Sequence, residues 1–158
     1  MHKVPLSKVK VESKLAVIRE ALTALHALAE ITGEEAFVGS AEKFAVAEHH
    51  LRRALEAVFD IGGHVISRFP YSPGKRPKTL REIAHALGEK GVVDQTFANN
   101  ALSKMAGYRN RMVHFYDEVT PRELYGIITN NLGDLEEFAA AAVAAIENPA
   151  RFDLTVED

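Results

Sequence analysis

The chain has no cysteine. That removes disulfides, thiolate zinc sites and a cysteine nucleophile from consideration, and it is compatible with a reducing cytoplasm, the compartment expected here. No stretch of about 18 consecutive apolar residues occurs, so no membrane-spanning helix and no membrane partner are expected. The opening segment MHKVPLSKVK carries basic residues with no apolar core behind them, so no signal peptide is expected. Excess positive charge is also missing: the formal net charge is -3 over 158 residues. A protein held to nucleic acid by its overall charge would be basic, so any RNA contact must use a local patch. Histidines are present but poorly spaced for chelation. His49 and His50 are adjacent, and on a helix they point about 100° apart. No metal and no cofactor are expected. Hydrophobic residues at 47% and charged residues at 26% lie near the globular norm, which argues against disorder. The length suits one domain across 1–158, with a core from about 10 to 147 and a flexible acidic tail from about 149 to 158.

Apolar residues recur at steps of three and four, the helical period. The first seam is Val11, Leu15, Ile18, Leu22, Leu25 and Ala29, ended by Gly33. The second is Phe44, Ala47, Leu51, Ala54, Val58, Ile61 and Val65. Ser40 is placed to cap it, and Glu42 suits the positive helix end. Gly62 and Gly63 inside this run mark either close packing or a kink. The stretch 69–78, FPYSPGKRPK, is a loop. Thr79 and Glu82 form a capping-box pattern for a short helix to about Leu87, closed by Gly88 to Gly91. Asp94 is placed to cap a fourth helix from about Gln95 to Phe115. Thr120, Pro121 and Glu123 open a last helix, with Val119 and Leu124 set for a hydrophobic staple. It is expected to run to about Glu147, before Pro149. No strand pattern competes. The expected fold is all-α, an antiparallel bundle of about five helices.

The chemistry concentrates in GYRNRMVHFYDEV, 107–119. On a helix, Ala101, Met105, Tyr108, Met112 and Phe115 form one seam, and Leu102, Ala106, Arg109, Val113 and Tyr116 a second. A helix with two seams touches neighbours on two sides, its own bundle and a second subunit. Asn110, His114 and Asp117 lie between the second seam and solvent. Asn110 and His114, four apart, stack on one face. Arg109 and His114, five apart, stand about 140° apart on an ideal helix. They converge on one phosphate if two copies meet across a twofold axis, or if the helix is distorted here. Such a pocket suits phosphodiester cleavage without metal. Histidine moves a proton near neutral pH. Arginine presents a planar fork to the phosphate. Asparagine orients the imidazole or bonds the phosphate. A ribose 2′-hydroxyl would be the nucleophile, which makes the substrate RNA. The local basic patch runs from Ile61 to Arg81, with Arg68, Lys75, Arg76, Lys78 and Arg81 and no acidic residue. Its loop either holds RNA or the nucleotide of a partner, or is merely solvated. Arg111 faces neither seam and is a surface charge or a phosphate contact.

Arg109-Asn110-Arg111-Met112-Val113-His114-Phe115-Tyr116 resembles the Arg-x-x-x-x-His-x-Tyr signature of HepT-like proteins of the HEPN superfamily. ALEAVFDIGGHVISRF looks like the family's second helix, with Glu56 and Asp60 at the positions of its Glu-x-x-x-Asp stretch. TLREIAHALGEKGVV and the segment from Ala101 to about Ile128 look like the family's next segments in order, and the resemblance covers roughly 10–146. It implies a helical homodimer with a composite site. It implies a metal-independent ribonuclease toxin in which Arg109 and His114 are catalytic and Asn110 supports them, with Glu56, Asp60 and Asp117 as candidate supporting carboxylates. It also implies a partner antitoxin, a minimal nucleotidyltransferase, in a pair or a larger hetero-oligomer. Such antitoxins transfer AMP from ATP to the motif tyrosine, here Tyr116. An adduct there adds negative charge and bulk where an RNA phosphate must sit. The alternative reading is a non-catalytic helical subunit that binds the nucleotidyltransferase and presents substrate to it.

Overall fold

The computed structural model describes residues 3–114 and 119–158. Helix α1 spans Lys8–Ile31, where the Ser7 side chain accepts from the Lys10 N–H at 3.1 Å. Its seam residues Val11, Leu15, Ile18, Leu22 and Leu25 are buried. They lie along α3, Ala41–Ile66, which is capped by Ser40 accepting from the Lys43 N–H. This pair forms the long axis of the bundle, and both helices begin where a serine satisfies an orphan amide. Helix α3 runs unbroken through Gly62 and Gly63. The glycines mark close packing: a Cβ at Gly62 would come within 3.2 Å of both Ile83 and Leu87. Those side chains belong to α4, Leu80–Glu89, capped by Thr79. Glu82 completes the start of α4 one residue further back than expected, its carboxylate accepting from the Lys78 N–H at 3.1 Å.

The site-bearing stretch is a compound helix. It opens with α5, Gln95–Phe97, under the Asp94 cap. It widens into a π-helical turn over Ala98–Leu102 and continues as α6, Ser103–Val113. Ser103 donates its hydroxyl hydrogen to the Ala98 carbonyl at 2.8 Å, which helps satisfy the widened turn. Helix α7, Pro121–Asn130, starts as anticipated, with Thr120 accepting from the Glu123 N–H and with Val119 and Leu124 buried.

Three expectations need correction. The last helix is two: Asn131 leaves the helical region at φ -118° and ψ 5°, and α8 runs Leu132–Glu147. Asparagine competes for backbone hydrogen bonds and is a weak helix former, so the Asn130-Asn131 pair followed by Gly133 breaks the run despite an apolar seam continuing across it. A short α2, Glu34–Val38, follows Gly33, anchored by fully buried Phe37 against the Tyr125 ring at 5.4 Å. The segment 149–158 is not a loose tail. Pro149–Phe152 form a 3-10 turn, Phe152 and Leu154 are buried, and β2, Val156–Glu157, pairs in parallel with β1, Leu6–Ser7. The apolar residues among its acids supply the reason.

Strand β1 also meets His64. The side chain is buried, and its Nε2 accepts from the Ser7 N–H at 3.0 Å. Acceptance requires an unprotonated Nε2. Burial first, then the Arg68 and Lys10 charges, lower its pKa from 6.5 to about 4. The unfolded chain therefore binds this proton more readily than the folded one between those values. Stability is full above about pH 6.5 and falls as pH drops toward 4, by on the order of 3 kcal/mol at one unit per 1.4 kcal/mol. Urea unfolding measured from pH 7.5 to 4.5 checks this. His64→Gln, which cannot titrate, should flatten the slope below pH 6.5, and an unchanged slope would assign it to other groups.

Candidate functional site

Arg109 and Asn110 occupy the last turns of α6, both half-buried. Upstream, Leu102 and Ala106 of their helix are fully buried and Met105 nearly so, which fixes α6 in the bundle. Downstream, burial fades, and Val113 is 44% exposed. His114 does not stack over Asn110 on a continuing helix, in contrast to the expectation from spacing. It terminates α6 with extended backbone, φ -102° and ψ 117°, and is exposed. Its N–H still reaches the Asn110 carbonyl, at 3.3 Å. The 140° that separates Arg109 from His114 on an ideal helix no longer applies, since the imidazole leaves from a residue outside it. Tyr116 and Asp117, together with Phe115, lie outside the described residues.

A charged pair joins the end of α6 to the start of α7. Arg111 makes a two-pronged contact with Glu123, Nη1 to Oε2 at 2.7 Å and Nη2 to Oε1 at 2.7 Å. Spacing within one helix does not reveal this contact. Side-chain exposures of 31% and 33% make this a sheltered pair of the strong, forked kind, unlike a solvated surface pair. The Arg111 hydrogen bonds hold the Glu123 carboxyl below its usual range; burial opposes this, and the Arg111 charge and the Thr120 backbone add to it. Glu123 is fixed from behind as well. Its neighbour Arg122 meets Glu34 and Glu35 of α2, each at 3.1 Å, and the Tyr125 hydroxyl donates to the Thr32 carbonyl.

The basic patch divides. Arg68 is committed to the Pro5 carbonyl and the Ser67 hydroxyl, and Arg76 lies 5.9 Å over the Tyr71 ring. Lys75 and Lys78 are exposed on the loop. Arg81 alone of these is placed against α6: a Cβ at Gly107 would stand 3.1 Å from its Nη2. Gly107 is flanked on the helix surface by Asn110 and Arg111, three and four residues on, so the Arg81 cation lies on their side of α6. Nothing in the local sequence signalled this, because the contact joins two helices. Glu56 and Asp60 are exposed on α3, and Asp60 pairs with Lys14 of α1 at 3.1 Å.

On another side of α6, Leu51, Met105, Tyr108 and Leu135 line a recess of about 80 Å³. That is far short of the roughly 300–1,000 Å³ of a small-molecule pocket. Among the described residues, no three His, Asp or Glu side chains group as a metal site, and no helix is long and apolar enough to cross a membrane.

Comparison with solved structures places this architecture. A toxin–antitoxin crystal structure with AMP-PNP superposes with a TM-score of 0.73 at 22% identity, covering 87% of this chain and 99% of that one. A tri-AMPylated Shewanella oneidensis HEPN toxin in complex with MNT antitoxin superposes at 0.70 with 23% identity, covering 85% and 97%. The bundle is thus a HEPN-type fold. The family model described as Ribonuclease HepT-like matches residues 18–142, and the chain belongs to that family. Among curated relatives, it is 29% identical over 89 residues to the mRNA nuclease HepT of Shewanella oneidensis, across 56% of this chain and 64% of that protein, which is under two thirds of the relative's length. It is 27% identical over 124 residues to the tRNA nuclease HepT of Aphanizomenon flos-aquae, across 78% and 81%.

Proposed function

We propose that this protein is a metal-independent endoribonuclease, the toxin of a toxin–antitoxin pair. The observation that carries the proposal is the placement of His114, exposed at the very end of α6 with its N–H on the carbonyl of Asn110, the residue that follows Arg109 in the chain. The His114 imidazole takes the proton from a ribose 2′-hydroxyl. The 2′-oxygen attacks phosphorus, the bond to the 5′-oxygen breaks, and the proton returns to that leaving oxygen. The Arg109 fork holds the phosphoryl oxygens as charge develops on them. Asn110 supports the pair, and Arg81 holds a neighbouring phosphate, with Lys75 and Lys78 as further contacts along the loop. The fading burial toward Val113 supports a second copy covering this end of α6, so that Arg109 of one protomer and His114 of its partner share one phosphodiester. Glu56, Asp60 and Asp117 remain candidate supporting carboxylates.

This chemistry leaves 2′,3′-cyclic phosphate and 5′-hydroxyl ends on RNA, in the presence of a metal chelator. Ends bearing 5′-phosphate, or cleavage stopped by the chelator, would overturn it.

The two similar toxin–antitoxin structures, one of an AMPylated toxin bound to MNT antitoxin, support a nucleotidyltransferase as the partner here. In this proposal it neutralises the toxin by adding AMP to Tyr116, whose negative charge then competes with RNA phosphate. Incubation with the partner enzyme and ATP should add the mass of AMP to the wild type and not to Tyr116→Phe. Equal modification of both would move the adduct elsewhere.

A further inference from the structure

The Arg111 and Glu123 contact joins residues twelve positions apart in the chain. The segment it closes contains His114. Arg111 stands in the last turn of α6, where a cation is favoured by the helix dipole. Glu123 stands in the first turn of α7, where an anion is favoured. Each charge therefore sits where its own helix prefers it, and the forked geometry fixes direction as well as distance. Helix α7 is anchored by buried Leu124, Ile127 and Ile128, and the Tyr125 hydroxyl ties it to the Thr32 carbonyl. Helix α6 is held in turn by its buried residues. The pair is thus a strut between the end of α6, three residues before His114, and the start of α7.

We propose that Arg111 and Glu123 are a positioning pair for the ribonuclease reaction, setting where the His114 imidazole stands over the RNA phosphodiester without touching the RNA themselves. This rests on the ribonuclease reading above. Its physical basis is the steep dependence of proton transfer on geometry, in which a displacement of about 1 Å can lower the rate on the order of 10²-fold. The competing role is that of a phosphate ligand. A guanidinium whose fork is taken by a carboxylate is a poor one, since its charge is already balanced and its donors are directed at Glu123.

The two roles separate on Glu123. Purified Arg111→Gln, Glu123→Gln and the double variant are assayed on an RNA oligonucleotide, and the His114 ring signals are followed by NMR across pH. Positioning predicts that each single variant lowers kcat by roughly 10- to 10²-fold with little change in KM, as geometry rather than binding is lost. The double variant should be no worse than either single one. The His114 ring chemical shifts should change in both. If Glu123→Gln keeps or raises the rate while Arg111→Gln raises KM, Arg111 is a phosphate ligand and the proposal fails. If a variant is unfolded by circular dichroism, Arg111→Lys and Glu123→Asp, which keep the charges but spoil the fork, are measured against the same expectations. If the wild type cuts no RNA, the ribonuclease reading fails by itself. The His114 signals still decide the pair: an unmoved ring in both variants overturns it.

Discussion

His114→Ala is expected to lower RNA cleavage by about 10²- to 10⁴-fold, the usual contribution of a positioned acid–base group. The fold should persist, and with it the dimer proposed above. His114 is exposed at a helix end, and its backbone bond to Asn110 does not involve the ring. Truncating an exposed side chain away from the core changes stability by roughly half a kcal/mol. The comparison is made on purified protein with an RNA substrate and, in cells, as relief of growth arrest. Arrest and cleavage undiminished in a folded variant would remove the acid–base assignment. The non-catalytic alternative, a helical subunit that presents substrate to a nucleotidyltransferase, would then stand in its place.

Arg109→Lys should lose nearly as much, on the order of 10²-fold in kcat, although the charge is kept. Lysine is a point charge on a flexible stem, whereas the guanidinium presents two parallel donors in a fixed plane. Losing one such donor from a developing oxyanion costs about 10²- to 10³-fold. Arg109 sits half-buried on the seam of Ala106 and Val113, so the lysine stem can follow the same path and the helix should remain intact. Steady-state kinetics at constant salt distinguish the roles. A fall in kcat marks stabilisation of the transition state, and a rise in KM alone marks simple attraction. Activity within about threefold of wild type would show that charge alone suffices and the fork does nothing.

The elements legible in the sequence are those whose cause is local. The seam from Val11 onward is visible there, although the Ser7 cap before it is not. Ser40, Thr79, Asp94 and Thr120 cap where their side chains predict. What escapes reading has non-local or cumulative causes. Helix α2 is a short stretch held by Phe37 on Tyr125, a contact across most of the chain. The π turn adds a residue to one helical turn without any change of composition. The break at Asn131 is masked by an apolar seam that continues through it. At the site, Arg109, Asn110 and His114 are identifiable from their order and their resemblance to a signature. The termination of α6 at Val113 is not, because a helical period carries straight on through Phe115 on paper. The Arg111 and Glu123 contact is not legible either, because its partner belongs to the next helix and no pattern within one helix reveals it. Arg81 shows the converse: charge groups it with Arg68 and Arg76, and tertiary contacts separate it from them.

The claim that one protomer's guanidinium and the other's imidazole share an RNA phosphodiester is tested most directly by mixing two dead variants. Arg109→Ala and His114→Ala are unfolded together, refolded together and assayed beside each variant alone. Half of the dimers are then mixed, and one of the two sites in each mixed dimer is intact, so roughly a quarter of wild-type cleavage should return. If both residues of a site come from the same protomer, every site in the mixture lacks one of them. Cleavage no higher than that of the separate variants, from a mixture shown to contain the mixed dimer, would contradict the account.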